Sequence, residues 1–233
     1  MGRGWVHGIR EVAAAKKGKL FTKIAKEIVV AVKFGGSNPE GNAKLKLVLQ
    51  DARKNSMPKD TIDRAMKRAT GEGQEDNFEE IVYEGYGPHG VAMLVETLTD
   101  NKNRTVQDLR AIFVRGKGNL GEQGSVAWMF DKIGSIIAQK DKFQGDPVDA
   151  AIEAGAAEVE DLEENQWRFL TDVTDLLDVQ SKLEAMGWNV LKAEISFKAK
   201  TPMPIEPAQE EDLQVLVEKL EDHDDVKKIH LAV

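Results

Sequence analysis

The sequence predicts an α+β chain of three domains. An N-terminal three-helix domain is followed by two ferredoxin-like α/β domains, one inserted in the other. Three observations carry this. Apolar residues recur at helical spacing as far as about residue 69, then give way to short runs of strand formers. Residues 134–197 read in the order β-α-β-β-α-β, the split βαβ pattern of the ferredoxin-like fold. The β-β-α-β order read before them lacks one helix and one strand, and residues 208–231 supply both. The expected boundaries are 1–77 for the helical domain, 78–131 with 205–233 for the central domain, and 132–204 for the inserted one.

Residues 1–18 are short of large apolar side chains and read as a loosely held arm, in part helical. Phe21, Ile24, Ile28 and Val32 then keep helical spacing through Lys33, and Phe34–Pro39 ends that helix. A second helix from Asn42 to Lys54 should bury Leu45, Val48, Leu49 and Ala52. Pro58 suits the first position of a third, because that position needs no N–H. Ile62, Ala65, Met66 and Ala69 give this third helix its apolar face. Gly71–Asp76 reads as a linker.

Strands are expected at Ile81–Tyr83 and Val91–Leu98, with Gly85–Gly90 between them. Thr105 with Asp108 resembles a capping box, which makes Thr105 an N-cap. The helix it opens has Val106, Leu109, Ile112 and Phe113 as its apolar face. Gly116–Gly124 reads as a loop and Ser125–Phe130 as a strand. The inserted domain is expected as strands at 135–139, 158–160, 166–170 and 189–197, with helices at 147–153 and 173–186. Thr201–Pro204 is a stiff linker, followed by a helix from Ala208 to Leu220 and a strand over Val226–Leu231.

Composition narrows the function. The chain of 233 residues carries a net charge of −8 and no cysteine. Disulfides, thiolate metal sites and cysteine nucleophiles are therefore excluded. No stretch reaches the roughly 18 uninterrupted apolar residues of a membrane span. The N-terminus lacks an apolar signal-peptide core. The expected location is cytoplasmic, with no membrane partner. The net charge conceals a split: residues 1–70 hold 16 Lys and Arg against 6 Asp and Glu, while the remainder carries −18. A basic head on an acidic body is a partner signal.

Motifs for chemistry are missing. Gly85-x-Gly87-x-x-Gly90 and Gly116-x-Gly118-x-x-Gly121 match the dinucleotide fingerprint in letters. Neither joins a strand to a helix N-terminus, and the glycines read as turn residues with positive φ. His7, His89, His223 and His230 have no metal-ligand spacing. No nucleophile elbow or Walker A sequence is present. The expectation is no enzyme, no cofactor, no metal and no small-molecule substrate.

The basic head is the stronger signal, since Lys and Arg neutralise phosphates and release counterions. Its candidates are Lys16, Lys17, Lys19, Lys23, Lys26 and Lys33 on or beside the first helix. Lys44, Lys46 and Arg53 lie on the second helix, and Lys59, Arg64, Lys67 and Arg68 on the third. Two further candidates lie on the acidic side. Tyr86, in the loop it shares with Tyr83, suits base stacking. Asn101, Lys102, Asn103 and Arg104 precede a helix N-terminus, where phosphate or ribose contacts occur. Reversing the charge of Lys19 and Lys23 should weaken binding. Arg104→Ala should lower affinity and leave the melting temperature nearly intact.

At these residues the chain resembles the YebC/PmpR family of gene-expression regulators. The matching stretches are Lys17–Lys26, Lys33–Ala43, Asn55–Ala65, Tyr83–Gly90, Leu98–Val106 and Gly118–Val126. They cover most of residues 17–130, and the C-terminal part matches in layout more than in motif. The resemblance implies three domains with a helical first domain. It also implies a non-enzymatic role on DNA or on the ribosome, as transcriptional regulator or as translation factor, and mitochondrial relatives that are translational activators. The chain departs from the family at its start. Gly2-Arg3-Gly4-Trp5-Val6-His7 replaces the usual Gly-His-Ser-Lys-Trp arm, so the arm's role does not transfer.

The combined expectation is a monomeric, ribosome-associated RNA-binding factor in translation. A DNA-binding transcriptional regulator using the same basic surface is the alternative, and a protein-interaction module without nucleic acid a lesser one.

Overall fold

The computed structural model describes the backbone of residues 3–71, 78–140, 145–162 and 165–233, and their side chains from residue 17 onward. The chain divides into two compact units, one of residues 1–127 with 203–231 and one of residues 128–202. From Glu72 the expected Gly71–Asp76 linker lies outside the described residues.

The first unit opens with three helices: α1 (Arg3–Gly35), α2 (Ala43–Lys54) and α3 (Lys59–Ala69). Where the sequence suggests a loose arm, α1 is continuous from Arg3. Within it the run Ala13–Lys17 propagates a helix at little entropic cost, and the helix continues through the glycines on either side of that run. Further along, α1 buries Ile24, Ile28, Val29 and Val32 against Leu45, Leu49 and Ala52 of α2 and Ile62 and Ala65 of α3. Burying each such aliphatic side chain contributes roughly 1.5–3 kcal/mol.

Asn42 fixes the α1–α2 corner. Its side-chain oxygen accepts from the Leu45 amide at 3.0 Å. Its Nδ2 donates to the carbonyls of Ala31 and Gly36 at 2.7 and 2.9 Å. A Cβ on Gly35 would lie 2.5 Å from that amide group, so the corner requires glycine there. At the next corner Pro58 is the N-cap and Lys59 the first helical residue, one position from expectation. The extended ψ of 139° at Pro58 keeps it outside the helix.

The same unit continues with a four-stranded antiparallel sheet in the order β3-β1-β2-β8. Its strands are β1 (Glu79–Tyr86), β2 (Ala92–Thr99), β3 (Asn119–Leu120) and β8 (Val226–Leu231). Two helices back it, α4 (Lys102–Arg115) and α7 (Pro207–Glu221). Leu109, Phe113, Leu216 and Leu220 pack on Met93, Val95 and Val226. The helix and strand from residues 205–233 thus complete this sheet, as the sequence suggests.

Three local expectations are corrected here. The third strand is Asn119–Leu120, and of the expected strand Ser125–Phe130 only Phe130 is in one, as the first residue of the strand Phe130–Lys140. The reason is Glu84, whose buried carboxylate accepts from the amides of Gly124, Val126 and Ala127, each at 2.7 Å. Those donors have no need of a strand partner.

The α4 N-cap is Asn101, which accepts from the Arg104 amide at 3.1 Å, and not Thr105. The Thr105 hydroxyl is engaged elsewhere: it lies 2.7 Å from the Thr99 hydroxyl and 2.9 Å from the Asp225 carboxylate.

The loop glycines are mostly required by close approach, since among Gly85, Gly87, Gly90, Gly116, Gly118 and Gly121 only Gly90 has a positive φ. A Cβ on Gly118 would stand 2.6 Å from the Tyr86 carbonyl, and one on Gly116 2.6 Å from Leu216.

The second unit holds β4 (Phe130–Lys140), α5 (Pro147–Ala154), β5 (Glu158–Leu162), β6 (Gln166–Thr171), α6 (Leu176–Ala185) and β7 (Trp188–Ala199). Its sheet order, β5-β6-β4-β7 with antiparallel neighbours, is the ferredoxin-like order. Ile136 and Ala138 of β4, Phe169 of β6 and Val179 and Leu183 of α6 are all buried. The Phe169 and Trp188 rings meet edge to face at 5.0 Å, a favoured aromatic geometry.

Candidate nucleic-acid interface

The candidate cations of the helical segment divide into two sets. The first set is engaged by partners within the protein. Lys19, Lys23 and Lys26 recur along one face of α1 and meet the C-terminal end of α7 and the turn after it. Lys19 Nζ lies 2.7 Å from the Asp222 carboxylate. Lys23 Nζ donates to the Glu221 carbonyl at 2.7 Å. Lys26 Nζ donates to the Asp225 carboxylate at 2.9 Å and to the Asp224 carbonyl at 3.1 Å. Cations are favourable at a helix C-terminus, where carbonyls lack intrahelical partners. Lys44 pairs with Glu80, and Lys46 with Glu40 at 3.9 Å. Lys17 sits 5.6 Å from the Phe21 ring centroid.

At the centre of this inward set is Asp225. Its side chain is 3% exposed. It accepts from Lys26, from Arg104 at 3.0 Å and from Thr105. Burial pushes its carboxyl up, but the hydrogen bonds from Lys26, Arg104 and Thr105 and the Lys26 charge outweigh this. The result is about 2. Its amide donates to His223 Nδ1 at 3.1 Å, and its carbonyl accepts from Leu98 at 2.8 Å. One residue thereby links α1, β2, α4 and the α7–β8 turn. Nearby, burial raises the Glu27 carboxyl, partly offset by Lys227 at 3.1 Å. Burial alone would lower the Lys227 ammonium, but Glu27, Glu96 and Glu80 hold it above its usual value.

The second set faces solvent. Arg53, at the end of α2, and Lys59 and Lys67, on α3, are exposed and meet no acid among the described residues. Among the described residues Arg64 bonds within its own helix, to the Asp60 carbonyl and the Thr61 hydroxyl. Arg68, beside Lys67, is exposed as well, and so is Lys33 near the end of α1. Lys16 lies outside the described side chains.

The candidates on the central sheet are mostly committed. Lys102 pairs with Glu79. Arg104 bonds Asp100 at 2.8 Å as well as Asp225. Asn101 is the cap of α4, and Asn103 is exposed in its first turn. Tyr86 is half-buried and donates its hydroxyl to the Ser125 carbonyl at 3.2 Å. Tyr83 packs on the core under α4. The structure therefore does not bring every sequence candidate onto one surface.

Sequence reasoning missed Asp225 and Glu84. Asp222-His223-Asp224-Asp225 looks like a solvated acidic run, and nothing local marks its last member as buried. Glu84, a single acid among strand formers and glycines, carries only a weak signal.

Among the described residues no group of three or more His, Asp or Glu is set to hold a metal ion. No described helix is long and apolar enough to cross a membrane.

Residues 5–72 match the TACO1/YebC protein N-terminal domain, and residues 78–233 match the TACO1/YebC second and third domain. A protein named probable transcriptional regulatory protein from Geobacter sulfurreducens is 46% identical over 218 residues, covering 94% of this chain and 88% of that protein. Another of that name, from Bdellovibrio bacteriovorus, is 43% identical over 234 residues, covering all of both chains. The crystal structure of a conserved hypothetical protein from Aquifex aeolicus superimposes with a TM-score of 0.86 at 36% identity, covering 94% of this chain and 90% of that one.

Proposed function

The chain belongs to the TACO1/YebC family, and from that premise we propose that it is a non-enzymatic regulator of gene expression that docks on nucleic acid. The docking face is formed by α2 and α3 of the helical domain, residues 1–77. The observation that carries this is the outward set of Arg53, Lys59 and Lys67, which meet no acid among the described residues. These cations are exposed in a protein whose net charge is −8. Cations not engaged by internal acids are the ones free to displace counterions from a phosphate backbone. The acidic remainder of the chain repels the same polymer and orients the encounter.

The polymer proposed is ribosomal or transfer RNA, with action in translation, in the cytoplasm. Such a basic face reads phosphate geometry and not base edges, which suits a structured RNA surface. DNA is the second reading, favoured by the name probable transcriptional regulatory protein that the relatives carry. Sucrose-gradient sedimentation of lysate at low and high salt separates the two. Co-migration with ribosomes that disappears as salt rises supports RNA. Recovery at promoter fragments with none on ribosomes replaces it with the DNA reading.

Lys19, Lys23, Lys26 and Arg104 have a different role in this account. The three lysines hold α1 against the α7–β8 turn, and so set the direction in which α2 and α3 face, while Arg104 ties α4 to the same turn through Asp225.

A further inference from the structure

One face of α4 and one face of α5 are both apolar, both exposed and opposite in charge. On α4, Gln107, Arg110, Ala111, Val114 and Arg115 line a shallow depression of about 410 Å³. Val114 is 66% exposed. Arg110 and Arg115 meet no acid among the described residues, whereas Arg168, Lys182, Lys192 and Lys198 each meet one. The opposite face of α4 is locked into the core by Leu109 and Phe113, so the platform is rigid. On α5, Val148 and Ile152 stand four residues apart and are 55% and 73% exposed. Asp149 and Glu153 lie beside them, exposed and without a cation partner among the described residues. Ala150, Ala151 and Ala154 fix the other side of that helix in its own core.

We propose that α4 of one molecule takes α5 of a second copy of this chain. Val148 and Ile152 settle over Ala111 and Val114, and Asp149 and Glu153 meet the guanidinium groups of Arg110 and Arg115. Residues four apart on a helix share a face, so each stripe presents its apolar and charged members together. Arginine forks match carboxylates in bidentate geometry, which sets orientation as well as attraction. The apolar floor between the arginines favours an aliphatic side chain over a phosphate backbone as occupant.

The contact is heterologous: each molecule that uses its α4 face still offers its α5 face to a further copy. Two short helices bury less than the roughly 1,200 Å² of a stable interface, which makes the contact transient. This departs from the monomer expected of the sequence and does not depend on nucleic acid.

The test is sedimentation velocity of the full chain without nucleic acid, from micromolar to millimolar concentration at low salt. The unmodified chain is expected to show a sedimentation coefficient that rises with concentration. Arg110→Glu with Arg115→Glu should abolish the rise, and so should Asp149→Arg with Glu153→Arg. A mixture of those two variants should recover it, because each then supplies the face the other lacks. Ile152→Ser should weaken association several-fold at unchanged melting temperature. A sedimentation coefficient independent of concentration in the unmodified chain would overturn the proposal. So would a mixture that sediments no faster than either variant alone.

Discussion

Asp225 concentrates the consequences of single residues. Its carboxyl titrates at about 2 in the folded chain, against about 3.9 when unfolded. A depressed folded value means that the stabilisation is fully present above about pH 4 and is lost as pH falls towards 2, and it is on the order of 2 kcal/mol. Asp225→Asn should remove that acid-dependent part, and it leaves Lys26 and Arg104 without their shared carboxylate. Denaturant titrations of both proteins between pH 7 and pH 2 check this: the two stability curves should converge as pH falls.

Arg104 is the residue where structure and sequence part. The sequence alone expects Arg104→Ala to spare stability. The structure places its guanidinium on a buried carboxylate, so the substitution should cost roughly 1–3 kcal/mol. An unchanged melting temperature would return Arg104 to the contact surface.

At the scale of elements, corners and close approaches decide more than propensity. Asn42→Ala removes a cap together with two side-chain bonds to α1 carbonyls. It should cost about 1–2 kcal/mol, read as a shift of the denaturation midpoint. Gly118→Ala should be worse tolerated than its loop position suggests, because the Tyr86 carbonyl stands where the methyl would go; thermal unfolding reads this directly.

Elements defined by periodicity were legible in the sequence. The buried face of α2 is Leu45, Val48, Leu49 and Ala52, and β8 is Val226–Leu231, both as the sequence indicates. Elements defined by a distant side chain were not. Residues 125–129 look like part of a strand until Glu84 is seen holding the amides of Val126 and Ala127. Thr105 looks like a cap until its hydroxyl is seen on Asp225. A spacing rule reports which residues share a face, whereas a hydrogen bond across 40 or 120 positions depends on the finished fold. The candidate site follows the same division. The basic character of the head is legible by counting. Which lysines turn inward depends on where α7 ends.

For the molecule as a whole, the net −8 averages a basic helical head with an acidic remainder, and the fold then spends part of the head's charge internally. Lys19, Lys23 and Lys26 hold the head to the α7–β8 turn, while Arg53, Lys59 and Lys67 face solvent. Replacing the inward set should first cost stability, and replacing the outward set should first cost binding. In the proposed function the outward set contacts phosphate. That contact is tested most directly by the salt dependence of affinity for ribosomal RNA, comparing the unmodified chain with a variant carrying Arg53→Gln, Lys59→Gln and Lys67→Gln. Each lost phosphate contact removes about 0.7–0.9 from the slope of log affinity against log salt. The variant's slope should be shallower by about 2–3 at unchanged melting temperature; an unchanged slope would contradict phosphate contact by these residues.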